Sequence, residues 1–264
     1  MEQIILQLLA EKPYLSNKSI GEIVGLSRSS VQYYLNKLNI HKDRKVQQKL
    51  NNTSREKKLK ITASAEQVIL GSILGDGYMS PNRHPENTSL TLNSELRIIH
   101  SEQQLEYIKY KKELLECEGI KCYLTERKQS KEHFIKGVLV KENKSYYLKT
   151  CRNVSFNFYR NTFYKPHKVV GRYLYKLNSL GLAIWFMDDG YKHGNTWILC
   201  TNGFAFKEVE FLQKLLKHNF NLETSIFKSN LGQPLLYIKA KSKQVFLNLI
   251  KPYLCKSMLY KIGV

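Results

Sequence analysis

The chain of 264 residues carries 42 Lys and Arg against 22 Asp and Glu, a formal net charge of +20, with 42% hydrophobic and 11% aromatic residues. That is length for about two domains and ample core material, and the positive excess points to a polyanionic partner, nucleic acid before any other. A membrane partner is not expected, because the uncharged stretch at residues 177–187 is 11 residues long and a bilayer span needs roughly 20.

The opening MEQIILQLLAEKPYL has neither the basic start nor the small-residue cleavage site of a secretory signal. Five cysteines without a CxxC pair read as reduced thiols rather than disulfides or zinc ligands. Within residues 1–40, Ile4, Ile5, Leu8 and Leu9 are expected on one face of a first helix that Pro13 closes. The stretch SNKSIGEIVGLSRSSVQYYLNKL then places Ile20, Val24, Leu26, Val31 and Tyr34 at the buried positions of two short helices. Gly21 permits close helix contact, Gly25 supplies the turn and Ser27 caps the following helix. This segment resembles the helix-turn-helix of bacterial DNA-binding proteins, a resemblance that sends Arg28, Ser29, Gln32 and Tyr33 toward DNA. A small helical bundle without a ligand is the alternative.

Residues 41–60 hold eight Lys or Arg against two Asp or Glu and show no apolar period. They read as a basic linker, with Lys42, Arg44 and Lys45 available to phosphates. From residue 61 onward strand-like and helix-like stretches alternate. Strands are expected at 89–92, 121–126, 134–140, 145–150, 197–201, 224–227 and 235–239, and helices at 101–117, 207–217 and 242–250. No Gly-rich phosphate loop of the dinucleotide or P-loop kind is present.

This second segment repeats itself. AEQVILGSILGDGYM (residues 65–79) and LNSLGLAIWFMDDGYK (177–192) are both apolar helical runs that end in Asp-Gly-Tyr. Later, YLKTCRNVSF and YIKAKSKQVF each place a Phe nine positions after a Tyr, and the copies close on Lys168 and Lys261. Duplication of this kind implies a pseudo-twofold axis. Gly71 and Gly75, one helical turn apart, give a smooth strip for a second helix, whose related face is expected to carry Ala183 and Met187. Packing of the two runs would set Asp76 and Asp189 side by side at two helix C-termini, where carboxylates are disfavoured by the macrodipole and by each other. An all-oxygen set of that kind suits Mg²⁺ or a similar hard divalent cation.

The two runs resemble the paired signature motifs of LAGLIDADG homing endonucleases in the single-chain form: ILGSILGDG at 69–77 and LAIWFMDDG at 182–190. FAFKEVEFLQKLL, LLYIKAKSKQVFLNLIKPYL and MLYKI resemble the C-terminal half of intron-encoded members, so the likeness covers about residues 61–264. It implies an α+β fold of two pseudo-symmetric αββαββα subdomains forming a β-saddle, at 61–171 and 172–264. The all-α helix-turn-helix domain at 1–40 is an addition to that plan.

Carried over residue by residue, the resemblance makes Asp76 and Asp189 ligands of Mg²⁺ or Mn²⁺ and catalytic groups that position the hydrolytic water. Gly75 and Asp188 would offer backbone carbonyls to the metal region, the Asp188 side chain being dispensable. Lys168 and Lys261 would polarise solvent or offset charge on phosphorus. The partner is double-stranded DNA, cut on both strands across the minor groove with short 3′ overhangs, by a monomer; its own intron RNA is a second expected partner. Base readout would fall to saddle strands: Thr88, Leu90 and Leu92, Arg127, Lys136, Lys149, Lys192, Thr196, Lys228 and Lys239. Strand parity is open, so apolar members of that set are equally core residues, and the cations serve guanine edges or phosphates. Asn202 is read either as a solvent-positioning group or as a plain turn residue. Tyr78 and Tyr191 are expected beside the motif ends, and His84 and His193 on the surface.

Two departures carry expectations. Ser72 replaces an apolar residue and is expected to hide its hydroxyl against the helix backbone. The interval from motif Asp to closing Lys is about twenty residues longer in the first copy, which is expected to reside in a longer hairpin at 128–143. Two other functions stay open: an intron RNA maturase, and a non-catalytic transcription regulator of LAGLIDADG type. The paired acids speak against the regulator, as does a helix-turn-helix that precedes the repeats where that family has it following. The setting expected is a bacterial or phage cytoplasm and nucleoid, or an organellar matrix, not a secreted one.

Overall fold

The computed structural model describes residues 1–11, 15–40, 58–81, 83–84, 87–91, 93–127, 133–135, 138–140, 144–165 and 167–264. Pro13, Lys42, Arg44, Lys45, Leu92 and Lys136 lie outside them.

Three N-terminal helices, α1 (Glu2–Glu11), α2 (Asn17–Val24) and α3 (Arg28–Lys37), share a core of Ile5, Ile20, Val31 and Leu35. The turn between α2 and α3 is built as the glycines suggest. Gly25 takes a left-handed φ of 71°, and a Cβ on Gly21 would stand 2.3 Å from the Leu26 carbonyl oxygen. Ser16 and Ser27 each accept a hydrogen bond from the backbone N–H three residues on, capping α2 and α3. Ile4, expected on the buried face of α1, is 51% exposed, and only Ile5 of that group is fully buried. Two apolar residues in succession cannot both face a core this narrow.

The remainder is a twice-told αββαββα plan. The first telling is α4 (Ala63–Leu74), β1 (Tyr78–Met79), β4 (Leu96–Ser101), α5 (Leu105–Cys117), β5 (Cys122–Arg127), β8 (Ser145–Thr150) and α6 (Asn157–Phe163). The second is α7 (Ser179–Asp189), β9 (Gly190–His193), β10 (Thr196–Cys200), α8 (Phe206–Phe220), β11 (Thr224–Lys228), β12 (Pro234–Ile238) and α9 (Lys243–Ile250). Their antiparallel sheets have the orders β1-β4-β8-β5 and β9-β10-β12-β11, which correspond strand for strand. The repeated Tyr and Phe occupy matching places: Tyr147 and Tyr237 sit in β8 and β12, and Phe156 and Phe246 are fully buried. One core unites both sheets with the helices that cover them. Among the described residues, no helix is long and apolar enough to cross a membrane.

Three expectations change. The extra length of the first copy is divided between two side hairpins, β2–β3 (Arg83–His84 with Asn87–Thr91) and β6–β7 (His133–Ile135 with Val138–Val140). Thr88 and Leu90 therefore belong to a side hairpin, while the sheet position goes to β4, a stretch given no strand in the sequence, whose last residue Ser101 is expected in the following helix. Ser72 is fully buried, and its hydroxyl has no hydrogen-bond partner among the described residues.

Helices α4 and α7 form the central contact. A Cβ on Gly71 would lie 2.5 Å from the Gly181 carbonyl oxygen and 2.7 Å from the Ile184 Cβ, and one on Gly75 would lie 2.3 Å from the Asp188 Cβ. The facing surface is thus Gly181, Ile184 and Asp188, one residue round from the expected Ala183 and Met187. Caps hold both helix starts: Thr62 accepts from Ala65 N, and Asn178 accepts from Leu180 N and Gly181 N. Gly71→Val is expected to cost about 1–3 kcal/mol through overpacking, seen as a lower Tm. Ser72→Ala is expected to leave Tm unchanged or raise it, since it deletes an unpaired buried hydroxyl.

Candidate active site

The close approach of α4 and α7 brings the ends of both motifs together. Gly75 and Asp76 turn out of α4, with Gly75 N–H bonded to the Gly71 carbonyl and Gly77 N–H to that of Ser72. Asp189 is the last residue of α7, and Gly190 begins β9. Each helix end also meets the lysine that closes its own copy. Lys168 Nζ donates to the Gly75 carbonyl at 2.8 Å; Lys261, in a 3₁₀ segment (Lys256–Ile262), donates to the carbonyls of Met187 and Asp188 at 2.5 and 3.0 Å. A cation at a helix C-terminus meets both the free carbonyls and the negative end of the dipole. The carbonyls of Gly75 and Asp188 accordingly each carry an ammonium, with a second lone pair remaining on each oxygen.

The carboxylates feel one another. Burial first, then the charges of Asp76 and Asp188, push the Asp189 carboxyl up to about 7, against the pull of Lys168 and Lys261. Asp76 is raised above the usual carboxylate range by burial and by Asp188, opposed by Lys111, Lys261 and Lys168. Lys168 and Lys261 are both lowered by burial, against the acids around them. A cavity of about 490 Å³ opens beside Asp189, walled by Gly75, Lys168, Cys200, Thr201 and Asn202. Asn202 is exposed there and donates to Gln233 Oε1 at 3.1 Å, so it borders the cavity while already holding a turn partner.

Asp188 is not the bystander its neighbour made it. Its carboxylate is completely buried, with Lys111 Nζ 2.5 Å and the Tyr107 hydroxyl 2.7 Å from Oδ1, and the Asp76 backbone N–H 3.2 Å from Oδ2. His100 completes the group, 3.6 Å from Asp76 and 3.8 Å from Asp188. Burial and Lys111 push the His100 imidazole down to about 4, so it is neutral at pH 7. Asp76, His100 and Asp188 present ligand atoms within 4.8 Å of one another. Lys111 Nζ nevertheless stands 3.4 Å from His100 Nε2, so a cation already fills that corner. Asp76 and Asp189 are the other pair of oxygen donors that could hold a divalent ion, both raised by burial first and then by neighbouring carboxylates.

Tyr107, Lys111 and His100 were not among the residues expected here. One signal was present: Lys111 falls four residues after Tyr107 and four before Leu115 on the buried stripe of α5, a place for an apolar residue.

Register sorts the strand residues. In the first sheet the face away from the core carries the row Tyr78, Arg97, Lys149 and Tyr123, then Ile99, Tyr147 and Thr125, then Ser101, Ser145 and Arg127. Cations and exposed aromatics share this face, and Arg127 and Lys149 lie on it. The corresponding face of the second sheet carries Tyr191, Ile198, Tyr237 and Ser225, with His193, Thr196 and Phe227, and none of its described strand residues is Lys or Arg. Lys192 pairs with Trp197, a core residue, so parity turns it to the other face, where its Nζ approaches Gly263. Lys228 likewise sits over the Phe206 ring of α8, at 5.4 Å. Lys239 follows β12 and borders a cleft with Gln213, Lys214 and Lys217 of α8. Parity, unreadable in advance, accounts for Lys192 and Lys228, whereas Lys239 lies past the end of β12 at Ile238. In the N-terminal helices Arg28, Ser29, Gln32 and Tyr33 are all exposed, Tyr33 by 64%, and Gln32 bridges Asn17 and Asn36 by its amide.

Comparison with known proteins agrees with this architecture. Residues 2–39 match the winged helix-turn-helix DNA-binding family, and residues 66–246 match the LAGLIDADG DNA endonuclease family. Probable intron-encoded endonuclease 1 of Wickerhamomyces canadensis is 30% identical over 207 residues, covering 75% of this chain and 83% of that protein. The cytochrome b mRNA maturase bI2 of Saccharomyces cerevisiae is 32% identical over 209 residues, covering 74% of this chain. The alignment takes in 46% of that maturase, so the chain spans about half the length of this relative. The homing endonuclease I-WcaI, solved bound to its DNA recognition sequence, superposes with a TM-score of 0.64 at 27% identity, covering 81% of this chain and 92% of that one. With the family match reaching from the first motif helix into α9 of the second copy, this chain belongs to the LAGLIDADG DNA endonuclease family and carries a helix-turn-helix ahead of it.

Proposed function

We propose that the protein is a site-specific homing endonuclease that hydrolyses one phosphodiester in each strand of a long double-stranded DNA target as a monomer, leaving short 3′ overhangs. The supporting observation is the meeting of two motif helices that each end in an acid, Asp76 and Asp189, with each helix end clasped by its own lysine. Asp76 and Asp189 would hold Mg²⁺ or Mn²⁺. The ion, when bound, supplies Lewis acidity toward the phosphodiester and makes water a better nucleophile at neutral pH. The half-buried lysines keep a positive charge beside the position of the phosphate and offset charge gathering on its oxygens. The aromatic and cationic face of the first sheet suits a duplex: Arg97, Arg127 and Lys149 for phosphates or guanine edges, with Tyr78 and Tyr123 between them.

Maturase activity is a second reading, favoured by the 32% identity to the yeast maturase. It predicts that the protein speeds splicing of its own intron transcript and that Asp189→Asn retains this while losing DNA cleavage.

On the nuclease reading, Asp76→Asn and Asp189→Asn are each expected to slow cleavage of an intron-free target plasmid in Mg²⁺ by roughly a hundredfold or more. Undiminished cutting by either variant would sink the assignment.

The pH dependence has a definite sign. The Asp189 carboxyl is raised to about 7 when folded, against about 3.9 in an unfolded chain. Between these values the folded protein holds a proton that the unfolded chain has lost, so this contribution to stability is full below about pH 4 and disappears as pH rises toward 7. In EDTA, Tm of the parent relative to Asp189→Asn is expected to decline across that window; parallel curves would contradict the shift.

Removal of residues 1–40 is expected to weaken target affinity and to reduce its salt slope by about one unit per lost phosphate contact, with cut positions unchanged. Equal affinity and slope would make the three helices a structural appendage.

A further inference from the structure

Two irregularities of the repeat meet at one point. The seventh position of the motif is Gly75 in the first copy and Asp188 in the second, and the Asp188 side chain enters the space that Gly75 leaves. On the helices that cover the sheets, α8 buries Val209, Leu212, Leu215, Leu216 and Phe220, whereas α5 buries Lys111 among Tyr107, Ile108 and Leu115. A single extra carboxylate from the second copy is thus answered by a single buried ammonium from the first. Neither side chain has any exposure, and their atoms stand 2.5 Å apart. The pair crosses the pseudo-twofold axis, and its other contacts are specific: Tyr107 donates to the same carboxylate oxygen and places its ring 4.6 Å from Lys111 Nζ. The remaining oxygen of Asp188 accepts the backbone N–H of Asp76.

We propose that Lys111 is a positioning residue: by fixing the Asp188 carboxylate it holds the backbone of Asp76 and so sets where the first acid stands relative to Asp189. Lys111 itself touches no reacting group and acts through Asp188. A buried ion pair is a poor source of stability but a strict one of geometry, since neither ion can shift without leaving the other unpaired. The inference rests on the assignment of Asp76 and Asp189 as the metal-holding acids.

The test compares the full-length parent, Lys111→Met, and the double variant Lys111→Met/Asp188→Asn, which removes both buried charges. Lys111→Met is expected to slow single-turnover cleavage in Mg²⁺ by about tenfold or more, while Kd for uncut target DNA in Ca²⁺ stays within about twofold. Amide exchange of the Asp76 N–H, followed by NMR, is expected to quicken by about tenfold, with that of Val68 unchanged. The double variant is expected to regain the parental Tm yet remain slow. Unchanged Asp76 exchange in folded Lys111→Met overturns the proposal, as does a double variant that recovers Tm and cleavage together, the mark of a merely structural pair. A parent that fails to cut DNA defeats the nuclease reading alone, because the exchange measurement still decides the role of Lys111.

Discussion

Everything in the two-copy part of the molecule depends on how closely α4 and α7 approach. Gly71 against Gly181, and Gly75 against Asp188, remove the side chains that would hold the helix backbones apart. The gain is dispersion and apolar burial along the seam. The constraint is geometric as well: two helices that touch at their C-terminal turns must deliver whatever residues follow those turns to the same few ångströms. Both four-stranded sheets hang from these helices through β1 and β9, so the seam also sets how their open faces are presented together.

The electrostatic consequences follow in order. Helix C-termini carry partial negative charge, and the motifs add three carboxylates to it: Asp76, Asp188 and Asp189. Three lysines answer them, but not equivalently. Lys168 and Lys261 spend their hydrogen bonds on helix-end carbonyls, and Lys111 is committed to Asp188. Asp76 and Asp189 are both raised, by burial first and then by the neighbouring carboxylates, against the pull of the lysines.

Much of this was legible in the sequence because it rests on local pattern. Two apolar runs of helical length ending in Asp-Gly, a Tyr and a Phe nine residues apart in each copy, and a closing lysine are all short-range signals, and the two halves of the fold follow from them. The Ser27 cap and the Gly21–Gly25 turn were equally local. What escaped depends on distance or on parity. Asp188 looked expendable because its partner lies 77 residues earlier, on a helix whose lysine merely looked misplaced. Lys192 and Lys228 looked like reading residues because a one-residue change of register exchanges the two faces of a strand. Leu96–Ser101 was hidden because its strand runs straight into a helix with no turn residue to mark the boundary.

The Gly75–Asp188 contact also bears on how such a chain could have arisen from a duplicated half. Two first halves brought together would leave two Lys111 side chains in the core without the Asp188 carboxylate that each ammonium meets here. Two second halves would set one Asp188 against another, where the present structure has a glycine with no room for even a Cβ beside that side chain. Neither half can pair with a copy of itself across this seam. The glycine and the aspartate thus make the two copies unlike, complementary partners across this seam.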